Sequence, residues 1–67
     1  MEDLMKRGEL LKIFRKNGIC FVSHGGAHDM YFSPITGKYF MVPRHAQELA
    51  TGTAARILKD AGINGKE

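Results

Sequence analysis

The chain has a single cysteine, Cys20, among its 67 residues, so no disulfide can form within it. It has no CxxC pair, and its one HxxxH spacing, His24 to His28, runs through Gly25-Gly26 rather than along a helix. The usual structural zinc site is therefore missing as a substitute staple. Apolar runs are short: Ile19 to Val22 and Tyr39 to Val42 are the longest, far below the length that crosses a bilayer. Charges at Glu2, Asp3, Lys6 and Arg7 break up the pattern of a signal peptide. A cytoplasmic protein with no membrane partner is expected, and a free thiol suits that reducing compartment. Linkers, repeats and low-complexity segments are absent too, which leaves one domain over 1–67. At 7.5 kDa it excludes two lobes, a Rossmann sheet or a barrel. An unstapled core of this size rarely supplies more than about 3–5 kcal/mol, so a partner or a second copy is expected to add stability.

What is present is a mild positive charge and a run of short elements. Ten Lys and Arg against seven Asp and Glu give a net charge of +3, which favours an anionic partner. From Arg7 to Asn17, Leu10, Leu11, Ile13 and Phe14 fall on one side of a helix, with Gly8, Lys12, Arg15 and Lys16 on the other. Asn17-Gly18 ends it, while no Ser, Thr, Asp or Asn starts it. Residues Met1 to Leu4 are expected to fray. Strands are expected at Ile19 to Ser23, His28 to Phe32 and Lys38 to Val42. Gly25-Gly26 is read as a hairpin turn needing positive φ, and Pro34-Ile35-Thr36-Gly37 as a second turn. Thr51-Gly52-Thr53 is expected to cap a last helix bearing Ala54, Ile57, Leu58 and Ala61, closed by Gly62. The order is α-β-β-β-α, an α+β fold with a three-stranded antiparallel sheet and two helices on one face.

The opposite sheet face is ambiguous, because strands one and three are apolar at both odd and even positions. Either short strands simply expose apolar area, or something covers it. Proton transfer at neutral pH would most naturally use His24, His28 or His45. His28, just beyond a glycine turn, is the best placed to meet a ligand. A zinc site from His24, His28 and Asp29 is a weak reading, since the spacing spans a turn. Gly25-Gly26 lacks the GxxxxGK[ST] pattern of a phosphate loop. Gly52-Thr53 at a helix start, with Arg56 one turn on, could instead hold an anion or merely cap the helix.

Taken in order, several pieces resemble one family. They are Lys16-Asn17-Gly18 before a strand, Gly26-Ala27-His28 with Met30-Tyr31 and Pro34, Gly37-Lys38, Val42-Pro43-Arg44-His45, Glu48-Leu49, and Gly52-Thr53 through Arg56 to Ala61-Gly62-Ile63. From Met5 to Ile63 the chain is similar to the HicA (YcfA-like) toxins of toxin-antitoxin modules. That resemblance implies a fold like that of double-stranded-RNA-binding domains. It also implies an mRNA interferase, a ribonuclease that cuts messages and arrests translation. The family's Gly-Ser-His pattern, often followed by a second His, places the catalytic histidine at His28. Ala27 stands here for the family's Ser and Asp29 for the second His.

RNA carries its own nucleophile, the 2′-OH, so a nuclease without metal or cofactor needs a base, an acid and cations for the phosphorane. His28 is expected as base or acid. Lys38, Arg44 and Arg56 are candidates for phosphate contacts, with His24 and His45 as weaker ones that could also fill the second proton role. The resemblance further implies a HicB-type antitoxin, expected to cover some of Cys20, Val22, Met30, Tyr39 and Met41. Two other readings use the same residues: a non-catalytic RNA-binding module, or a protein-binding subunit acting through its open sheet face.

Overall fold

The computed structural model describes residues 4–63. Its main body follows the expected order: helix α1 (Arg7–Lys16), strands β2 (Cys20–His24), β3 (His28–Ser33) and β4 (Lys38–Pro43), and helix α2 (Thr51–Ala61). Two three-residue strands are added, β1 (Leu4–Lys6) and β5 (Glu48–Ala50), each running directly into a helix. They pair antiparallel, Leu4 with Ala50 and Lys6 with Glu48. The expectation of fraying is thus corrected at Leu4, while Met1 to Asp3 lie outside the described residues. The pairing joins the starts of both helices, and Arg7 N donates to Gln47 O at 2.9 Å, which replaces the missing side-chain cap of α1. The expected cap of α2 is corrected as well: Ala50 holds the cap position, so Thr51-Gly52-Thr53 forms the first turn itself. Among the described residues no helix is long and apolar enough to cross a membrane.

Strand order in the larger sheet is β2-β3-β4, all antiparallel. Alternation settles what the sequence left open. Tyr31 and Ser33 of β3 and Phe40 and Val42 of β4 point toward the helices and are buried. There they meet Leu10 and Phe14 of α1 and Ala54, Ile57, Leu58 and Ala61 of α2. Phe14 sits at the centre, its ring 5.3 Å from Tyr31 and 5.5 Å from Phe40. Met30, Phe32, Tyr39 and Met41 point the other way, where no helix lies among the described residues; Tyr39 and Met41 are exposed. Edge strand β2 carries a bulge between Phe21 and Ser23, which breaks its alternation and leaves all five of its residues exposed.

One buried hydroxyl fixes where α2 ends. Ser33 Oγ donates to Ala61 O at 2.6 Å and accepts from Ile35 N and Thr36 N at 3.2 and 3.3 Å. Its single donor and both lone pairs are used. Gly62 then turns the chain at φ +80°, and a Cβ there would come within 2.6 Å of Thr36 Cγ2. The C-terminus of α2 is therefore pinned to the β3–β4 turn, and the helix runs back along β4 with its first turn beside the other end of that strand.

Candidate active site

His28 opens β3 on the face away from the helices, exposed and paired in register with Pro43. It lies at the mouth of a cleft of about 820 Å³ that follows edge strand β4. Tyr39, Met41 and Pro43 form the strand side, and Thr53, Arg56 and Asp60, spaced i, i+3, i+7, form a stripe of α2 on the other. Lys38 and Lys59 complete the cleft at its far end. The six residues of β4 separate its two ends by roughly 17 Å. Three cations and a histidine thus line one trough, with the positive end of the α2 dipole at the His28 side.

Of the residues singled out in the sequence, the structure gathers His28, Lys38 and Arg56 in this cleft. His45 and Arg44 line another cleft, of about 600 Å³, with Lys6, Arg7 and Lys12. His24 turns away from His28 altogether. Lys59 was missed by the sequence reading, although it lies one helical turn from Arg56 and could have been found that way.

Also missed was the role of Asp29. Because alternate residues of a strand face opposite sides, His28 outside puts Asp29 inside, where it is 4% exposed. Three cationic or potentially cationic groups surround it. Arg7 donates to Oδ2 at 3.0 Å, His24 Nδ1 lies 2.9 Å from Oδ1, and Arg44 Nε is 3.6 Å from the same oxygen. An ionised carboxylate only accepts, so in this pair Nδ1–H of His24 is the donor. The hydrogen bond from His24 pulls the Asp29 pKa below its ordinary value of 3.8, outweighing desolvation, with the charges of His24, Arg44 and Arg7 acting in the same direction. His24 and Asp29 meet, but His28 is on the other face, so the three do not converge as metal ligands.

The sign of that shift gives a prediction. A carboxyl whose folded pKa is lowered stabilises the fold above its unfolded value, and that contribution is lost as pH falls through the folded value. Acid titration followed by circular dichroism should show stability falling below about pH 4. In Asp29→Asn the fall should be shallower and start from a lower plateau.

A family model, the HicA toxin of bacterial toxin-antitoxin systems, matches residues 7–63. The chain belongs to the HicA toxin family. The match covers α1 through α2 and includes His28 and every cation of the β4 cleft. This HicA chain is thus the toxin of a toxin-antitoxin pair, and an antitoxin is its partner. No match was found among curated proteins or among solved structures.

Proposed function

We propose that this HicA toxin is an endoribonuclease, an mRNA interferase, that cuts messages in the cleft along β4. One observation supports it most: an exposed histidine shares a trough with Lys38, Arg56 and Lys59. In this reading the three cations hold successive phosphates, and Arg56, rather than the lysines at the far end, is the one set against the phosphorane beside His28. The RNA 2′-oxygen loses its proton and attacks phosphorus, and the bond from phosphorus to the 5′-oxygen breaks. The leaving oxygen takes a proton, and a 2′,3′-cyclic phosphate remains. His28 serves as one of the two proton-transfer groups. No metal ion or cofactor enters this scheme.

Incubating the purified toxin with end-labelled RNA in EDTA is the test. Fragments ending in cyclic phosphate are the expected result. A shifted band with intact RNA would replace the nuclease with a non-catalytic RNA-binding module.

The antitoxin, in this reading of HicB type, covers the outward sheet face. Cys20, Val22, Tyr39 and Met41 are exposed there and Met30 is half-buried. Tyr39 and Met41 also line the cleft, so one covering element reaches both. Amide exchange should slow in β3 and β4 on complex formation. Unchanged exchange in those strands would place the antitoxin elsewhere.

A further inference from the structure

The ion cluster around Asp29 grips the hairpin that presents His28. Arg44 N donates to Ala27 O at 3.0 Å, and its guanidinium donates to Gly25 O at 3.0 Å while facing Asp29. Gly25 N donates to His28 O at 2.7 Å, an approach so close that a Cβ on Gly25 would lie 2.6 Å from that oxygen. On the other flank Arg7 uses one guanidinium nitrogen for Asp29 and another for Pro43 O, at 2.6 Å, on the residue that pairs with His28. His24, the last residue of β2 before the turn, also packs its ring against Phe21 in a tilted arrangement, centroids 4.8 Å apart. Asp29 thus ties together α1, both arms of the β2–β3 hairpin and the end of β4.

The two residues are adjacent in one strand and point to opposite faces. Holding Asp29 on the inner side sets the rotation of β3 about its own axis, and that rotation sets where the His28 ring points. We infer that Asp29 and Arg44 are positioning residues for His28: the buried carboxylate clamp fixes the hairpin so that the imidazole faces the β4 cleft. Neither touches the RNA in this assignment. They act because proton transfer depends steeply on geometry, a displacement of about 1 Å costing as much as a hundredfold in rate. The carboxylate at position 29 then serves the same site from behind the sheet.

This inference rests on the nuclease reading, so its test has two independent readouts. The first needs no activity: amide exchange at Gly25 and Arg44, whose N–H groups close the hairpin. In Asp29→Asn and Arg44→Ala these amides should exchange at least about tenfold faster, while amides of the helices keep their protection. The second is RNA cleavage. Both variants should lose about tenfold or more in kcat with KM nearly unchanged, since the phosphate-holding cations are untouched. Arg44→Ala keeps the inference testable if Asp29→Asn does not fold. Unchanged exchange at Gly25 and Arg44 would remove the clamp. Faster exchange with wild-type kcat would show that His28 does not depend on it. If the wild-type toxin leaves RNA intact, the nuclease reading falls, and the exchange experiment still decides whether the clamp exists.

Discussion

Phe14→Ala is expected to leave the chain unfolded at 25 °C. The ring is 1% exposed and packs against both Tyr31 and Phe40, so with Leu10 it holds α1 against the sheet. Truncating a buried phenylalanine costs about 3–5 kcal/mol, through lost transfer energy and the cavity left behind. A small domain without disulfide or metal rarely has more than about 3–5 kcal/mol in total. The two figures are equal within their spread, so one substitution removes the whole margin. Phe21→Ala is the matched control: Phe21 is 48% exposed on the bulged edge strand, and its loss should lower stability by less than about 1 kcal/mol. Urea unfolding followed by circular dichroism separates them. A Phe14→Ala chain melting within a few degrees of wild type would mean the core is organised around another residue.

The helices and the order of elements were legible because their signals are local. The stripe of Leu10 and Phe14 predicts the buried side of α1, and Gly62 does close α2 at positive φ. Gly25 shows the limit of that method. It is required because His28 O approaches it, and neither Gly25 nor Gly26 has the positive φ expected of a hairpin pair. The β1–β5 pairing was not legible, since three-residue strands carry no readable period and their partners lie far apart in the chain. The inner face of the sheet was hidden for a different reason: β4 is apolar on both sides, so only packing against the helices distinguishes Phe40 and Val42 from Tyr39 and Met41. Likewise nothing local marks Asp29, because two of its partners, Arg7 and Arg44, come from distant segments.

The second large effect concerns chemistry. The sequence offers for His28 its place beyond a turn and the family pattern, and the structure adds an exposed ring at one end of a cleft that also holds Arg56 and, at its far end, Lys38 and Lys59. His28→Ala removes a side chain that makes no hydrogen bond and no ion pair among the described residues, so its stability should change by no more than about 0.5 kcal/mol. Cleavage should fall by about 10²–10⁴, the usual contribution of a positioned acid or base. RNA affinity should hold nearly constant, because the cations proposed to hold the phosphates remain. That separation of fold, binding and rate is what distinguishes a proton-transfer group from a structural histidine.

The most direct measurement is single-turnover cleavage of one labelled RNA, in EDTA, by wild-type and His28→Ala toxin whose circular dichroism spectra coincide. Rapid cleavage by the first and a loss of at least about a hundredfold in the second are expected. Equal rates from the two folded chains would contradict the assignment of His28 as a proton-transfer group.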